Sequence, residues 1–419
     1  MKRSAKWIVG VMLVAAVVFV ATRFDSPSNG AIRIVRGTPN NETNAGNYYD
    51  EPIRYRGESM LVRPQDIIAT GRTAQDVPVI TDPKFISTDE ADAGSTPFDD
   101  HVGLSIFDGE RYRFYPLSTL AWHEIVLDQV QDAKVAITYS PLTDSFVPFV
   151  VDEDMELAYS GYVWNNNSLI LDRTSGTLYS QLLGRGVYGR ESGRRLMVVP
   201  HTVIPFGVWK EVHPDGMVLS TETGSSFAYD VSPYGTYLES KGIYFPRAHK
   251  GSSGRRPKDA LLGLAFDSAA KAYDYAALES HANGIKNDVF GGKAVLVWVD
   301  DDGAVHVNER GDYRFTRRRK NDFFTNEGAR FTFDPFTFQL KGEDDLLPLY
   351  PVRIFWFAWS ATYPQTEIYG NVISQGLIDG PFVVEESANQ DGIRIEVDDK
   401  GIQAKDSSTE FQVTDIQSQ

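Results

Sequence analysis

The strongest constraint on the fold is an internal repeat. Gly103-Leu104, Phe107-Asp108, Leu120, His123 and Asp128 are followed by a strand-like run from Lys134 to Tyr139. The same order returns as Gly263-Leu264, Phe266-Asp267, Leu278, His281 and Asp288, followed by Lys293 to Trp298. The offset is 160 at the glycines (263 − 103) and 160 at the aspartates (288 − 128). Asp172 with Leu178 matches Asp334 with Leu340 at an offset of 162, and Trp209 with Pro214 matches Trp359 with Pro364 at 150. Order is kept while spacing drifts by a few residues, as in two diverged copies of one supersecondary unit. The reading is a first β-rich repeat over 59–220, a connector over 221–257 and a second repeat over 258–385.

Within each copy, short runs rich in Val, Ile, Tyr, Phe and Thr alternate with turn signals such as Asp108-Gly109, Ser175-Gly176, Gly184, Gly186 and Gly189. Strands are expected at 111–115, 135–139, 146–151, 169–172, 177–181 and 196–199, with one short helix over 117–124. The aromatic run Phe355 to Trp359 reads as a buried strand, with a carbohydrate-stacking platform as its functional alternative. This pattern implies a mainly β fold with short helices (α+β), arranged as two homologous barrel- or sandwich-like lobes.

Lys2, Arg3 and Lys6 precede an uncharged stretch from Trp7 to Thr22. A positive flank before an apolar segment is the grammar of export. With no clean small-x-small cleavage site, residues 1–23 read as a signal anchor, with a cleaved signal peptide as the alternative. The cations stay inside, so the body is expected outside the cytoplasm, at the cell membrane or, if cleaved, secreted or periplasmic. Residues 24–58 are a polar tether, with one short strand expected at Ile32 to Val35. Residues 386–419 form a polar, acidic tail with one expected hairpin near Ile393 to Gly401.

The net charge of −16 disfavours phosphate backbones, so nucleic acid is not an expected partner. Arg255-Arg256 and Arg317 to Lys320 read as solvated loops, and Gly251 to Pro257 as an exposed loop. With no cysteine, disulfides, thiolate metal sites and cysteine nucleophiles are excluded.

Several phrases together are specific: Tyr115-Pro116-Leu117, His123-Glu124-Ile125-Val126, Ile137 to Thr143, Asp172-Arg173, Leu178-Tyr179-Ser180-Gln181, and Trp209 with His213-Pro214. Over residues of about 75–370 the chain resembles an uncharacterised bacterial and archaeal family, domain of unknown function 3179. The resemblance implies a cysteine before Pro-Leu, where this chain has Ser140. It also implies an asparagine before the aspartate, where this chain has Leu127, although the second copy keeps Asn287-Asp288. It identifies a fold group and carries no assigned reaction.

The candidate chemistry lies in the first copy. His123, Glu124, Asp128 and Ser140 are the catalytic candidates, since a histidine beside carboxylates can shuttle a proton. Adjacent helical residues point about 100° apart, so His123 and Glu124 cannot share one face. The structural alternative is that His123 caps the helix C-terminus, its charge suiting the dipole. Binding candidates are His213, Gln181, Asp172 and Trp209. No cofactor is expected, although a divalent metal held by His123, Asp128 and His213 is the alternative. Ser140 to Ser145 reads as a turn, Asp300-Asp301-Asp302-Gly303 as an acidic hairpin turn, and Gly184 to Gly189 carries no dinucleotide reading. The site is placed where His123, Glu124, Asp128, Ser140, Gln181 and His213 converge. The functional expectation is an envelope protein binding an unknown small molecule or envelope partner, with a His- and carboxylate-based hydrolase or metal-dependent enzyme as the alternative.

Overall fold

The computed structural model describes residues 53–55, 58–94, 97–251, 255–266, 269–279, 284–369, 395–398 and 401–404. The export segment, the expected strand at 32–35, His281 and most of the tether and tail lie outside the described residues. The expected tail hairpin falls at Ile395–Asp398 paired with Gly401–Ala404. No helix among the described residues is long and apolar enough to cross a membrane.

The described chain is mainly β, with five short α-helices: α1 (Thr88–Asp92), α2 (Leu117–His123), α3 (Phe206–Val212), α4 (Tyr275–Glu279) and α5 (Trp356–Thr362). The first half holds three sheets. A five-stranded sheet runs Thr202–Pro205, Val102–Phe107, Tyr112–Pro116, Met217–Leu219, Phe85–Ser87. A four-stranded meander runs Met197–Val198, Ser145–Val150, Ala133–Ser140, Ile125–Val130. The central strands of a seven-stranded sheet are Arg185–Tyr188, Thr177–Ser180, Asn167–Asp172 and Leu157–Trp164. These open sheets stack on one another and none closes into a barrel, so the barrel alternative is corrected to packed sheets. Leu104, Tyr115, Val126, Ile137 and Phe146, each at most 1% exposed, fill one interface. Each such side chain contributes about 1.5–3 kcal/mol of burial.

The second half runs through the same pairings. Val352–Phe355, Ala260–Phe266, Ala269–Tyr273 and Glu367–Tyr369 pair antiparallel, antiparallel and parallel, as do Thr202–Pro205, Val102–Phe107, Tyr112–Pro116 and Met217–Leu219. A helix follows the first-named strand of each set, α3 in one half and α5 in the other. Gly103 and Gly263 occupy matching strands under an aromatic ring. A Cβ there would lie 2.3 Å from Phe114 and 2.2 Å from Trp359, so glycine is required for the rings to pack.

Strand edges differ from the expected ones by one or two residues, within the normal fraying of element ends. The larger correction is at Phe355 to Trp359. The strand stops at Phe355 and α5 begins at Trp356. All seven residues of α5 are buried, so its sequence shows no polar face to betray a helical period. No stacking platform exists there. Arg255 is also corrected: it is buried and pairs with Asp274 at 2.7 Å, whereas Arg256 is exposed.

Candidate functional site

The site begins at the end of α2. Glu124 terminates the helix in the left-handed region, with φ 56°, while its N–H donates to Leu120 O at 2.7 Å. For a residue with a Cβ that conformation costs about 1–2 kcal/mol. The turn throws the Glu124 side chain inward, between the meander and the seven-stranded sheet. The backbone is held there because Tyr139 N donates to Glu124 O at 2.9 Å.

The Glu124 carboxyl is 4% exposed, and every described polar contact to it is a hydroxyl. Tyr234 donates to Oε1 at 2.7 Å and Ser168 to Oε2 at 2.8 Å. Ser168 Oγ lies 3.2 Å from Ser140 Oγ, which also accepts from Ser168 N at 3.0 Å. A chain of hydroxyls thus links the carboxyl to Ser140. Burial pushes the Glu124 acid up to about 7, against the opposing pull of Tyr234, Ser168 and the Arg72 charge. Beside it lies a cavity of about 10 Å³, lined by Glu124, Thr138, Tyr139, Tyr159, Ser168 and Gln181. That is room for about one water. Ser145 donates to Gln181 Oε1 at 2.8 Å, and Asn167 Nδ2 donates to the same oxygen at 2.9 Å. A buried polar layer is therefore satisfied by its own members.

His123 is 1% exposed and faces elsewhere. Its Nδ1 lies 2.7 Å from Pro78 O, which can only accept, so Nδ1 carries the hydrogen. Nε2 then accepts from the Tyr229 hydroxyl at 2.7 Å. Burial lowers the His123 pKa, so the ring is neutral and does not cap the helix with a charge. That corrects the cap reading.

The connector is partly exposed but sends side chains into the fold. Tyr229 and Tyr237 are buried, and Tyr237 donates to Leu142 O at 3.0 Å. Asn165 and Asn166 turn between two strands with φ 53° and 64°, the type I′ pattern. Asn166 exchanges two bonds with Phe245, and Asn165 Oδ1 accepts from Ala248 N at 2.9 Å. Lys258 packs 3.2 Å from the Tyr237 ring centroid, and burial lowers its pKa to about 8.

Glu124, Ser140 and Gln181 therefore come together, with His123 on the adjoining face. The other candidates do not join them. Asp128 accepts from Arg113 at 2.6 Å and Tyr115 at 2.5 Å. Asp288 repeats this arrangement with Lys271 at 2.9 Å and Tyr273 at 3.1 Å, which marks it as a bracing feature of both halves. Asp172 holds the 172–175 turn through Thr174 N and Ser175 Oγ. Trp209 donates to Ser105 Oγ at 2.8 Å in the core. His213 stacks on Tyr112 with ring centroids 3.8 Å apart, and burial lowers its pKa to about 4. His123, Asp128 and His213 share no ligand position, and among the described residues no three His, Asp or Glu groups cluster as a metal site would. The Asp300 turn is an acidic hairpin turn closed on itself, accepting from Asp302 N, Ala304 N and His306 Nε2.

A family model described as a protein of unknown function, DUF3179, matches residues 74–366. The chain belongs to the DUF3179 family. No curated protein and no solved structure matches it. Three of the phrases that carry the DUF3179 resemblance meet around Glu124: the end of α2, the Ser140 turn and the Gln181 strand end. Sequence reading missed Arg72, Tyr159, Ser168 and Tyr234. For Tyr234 the available signal was six aromatics, Phe227, Tyr229, Tyr234, Tyr237, Tyr244 and Phe245, in a connector that a solvated loop would not need.

Proposed function

We propose that this chain is an exported, membrane-tethered protein of the cell envelope that binds a small polar ligand at the Glu124 centre. The observation that carries the binding site is Glu124 itself. A carboxyl that is buried, lacks a directly contacting cation and is raised to about 7 costs folding stability. Such groups cluster at functional sites. The charged flank and apolar run before Arg23 support the export and tether. We also propose that the two halves descend from one copied module, which the matching order of strand pairings supports.

The test is thermal unfolding of the full chain at pH 7 against a panel of small polar solutes. A solute that raises the melting temperature of wild type but not of Glu124→Gln supports the site. Equal shifts in both proteins remove it. Protease accessibility on intact cells tests the placement, because an exported body is cleaved from outside.

The second reading is a hydrolase, favoured by the hydroxyl chain from Glu124 through Ser168 to Ser140. In that reading Glu124 moves the proton and Ser140 attacks. Covalent labelling of Ser140 by an activated ester, absent in Ser140→Ala, supports it.

A further inference from the structure

Three successive residues at the end of α2 each carry one aromatic side chain of the connector. Phe227 stacks on Trp122, with centroids 4.6 Å apart and planes 15° from parallel. Tyr229 donates to His123 Nε2 at 2.7 Å. Tyr234 donates to Glu124 Oε1 at 2.7 Å and accepts from Arg72 at 2.7 Å.

The connector is held on by little else of its own backbone. Residues 221–251 contain no helix or strand. Among the described residues, their backbone-to-backbone bonds run within the segment, as from Val231 N to Ala228 O and from Gly235 N to Ser232 O. Its anchors to the rest of the fold include the Trp122 bond to Val231 O at the near end, and at the far end the buried Tyr237, which donates to Leu142 O, the Lys258 bonds to Tyr237 O and Ser240 Oγ, and the bonds of Asn165 and Asn166. A long stretch without regular structure that covers a polar site fits a lid better than a linker.

We propose that the connector is an internal stand-in for a saccharide, and that the wall it covers, Trp122, His123, Glu124 and Arg72, is a saccharide-binding site that opens when residues 226–235 lift, hinged on the buried Tyr237. This rests on the Glu124 reading and names its ligand class. Each strap contact is one that a pyranose makes. A weakly polar ring face lies on an indole. One hydroxyl donates to an imidazole. Another donates to a carboxyl while accepting from a guanidinium. A ligand lacking those hydroxyls leaves His123 Nε2, Glu124 Oε1 and Arg72 Nη1 without the partners they have in the closed fold, a cost that falls hardest on the buried His123 and Glu124. The closed strap lowers apparent affinity by the fraction of molecules in which it is down.

The experiment uses the full chain in a zwitterionic detergent that has no sugar headgroup. Amide hydrogen exchange and binding of maltotriose and chitotriose are measured for wild type and for Tyr229→Phe/Tyr234→Phe, which removes two hydroxyls and keeps both rings. Residues 226–235 are expected to exchange about tenfold faster in the double variant, while strand 133–140 is unchanged and so reports an intact fold. At least one trisaccharide is expected to bind about tenfold more tightly to the double variant, because its competitor is weakened. Unchanged strap exchange overturns the proposal, and so does a loosened strap with no gain in binding of either sugar. The Glu124 midpoint is titrated in the same samples. An ordinary carboxylate midpoint removes the underlying site, whereas a raised midpoint without sugar binding removes only the saccharide.

Discussion

The Tyr234 hydroxyl lies 2.7 Å from Glu124 Oε1, so a residue of the connector completes the coordination of a carboxyl that belongs to the core of the first half. The two are 110 residues apart in sequence. In this conformation the connector therefore lines the Glu124 site.

Stability should fall as pH rises across the neutral range. The Glu124 acid ordinarily titrates at 4.5 and here at about 7. Its proton-bound form is favoured in the fold, so its contribution is fully present below about 4.5 and is lost as pH rises to about 7. The loss is roughly 3 kcal/mol, about 1.4 kcal/mol for each pH unit of the shift. Tyr234, Ser168 and Arg72 face the group and oppose that loss. His123 acts in the other direction. Burial lowers its pKa, so its contribution is present above 6.5 and is lost as pH falls. Urea unfolding of wild type and Glu124→Gln at pH 5 and pH 8 checks this, and the Gln variant should show the flatter profile.

The junction of the halves predicts a second result. Arg353 pairs with Asp144 through Nε at 3.0 Å and Nη2 at 2.8 Å, and Asp144 is 4% exposed. Arg353→Met leaves a buried carboxylate without its cation and should cost about 3–5 kcal/mol. Asp144→Asn in the same chain should recover much of that cost. Asparagine tolerates the left-handed φ of 50° that Asp144 adopts. Equilibrium urea titration of the single and double variants reads the coupling.

Matching glycines predict matching costs. Gly263→Ala puts a Cβ 2.2 Å from the Trp359 ring, and Gly103→Ala puts one 2.3 Å from Phe114. Each should destabilise by about 1–3 kcal/mol as the buried ring is forced from its place. Thermal unfolding of the two variants should show losses of similar size.

Much of the fold was legible because its signals are local. β-rich runs and turn residues marked the strands at 135–139, 146–151, 169–172 and 177–181 but not Leu157–Trp164, and the Glu124, Ser140 and Gln181 positions did converge. The β-strand ending at Phe355 was extended too far because α5 is buried on every side. The split between Asp128 and Glu124 was not legible. Four residues along, past the helix end, the strand carries Asp128 to Arg113 and Tyr115 instead. Nor could local patterns show that Tyr234 would fold back over Glu124, since that contact is set by the path of the whole connector.

The far anchor of the connector can be tested separately. Asn166→Gly keeps the positive φ but removes two bonds to Phe245. At a net value of about 0.5–1.5 kcal/mol per bond, the Phe245 amide should exchange faster by roughly tenfold or more. Exchange along 133–140 should not change.

The most direct measurement is the site-specific titration of Glu124, followed through its side-chain carboxyl carbon by NMR with Glu124→Gln assigning the signal. A midpoint of about 7 in the folded chain is the result this structure requires. A midpoint near 4.5, the ordinary value, would mean that the carboxyl is solvated and that the buried centre does not exist.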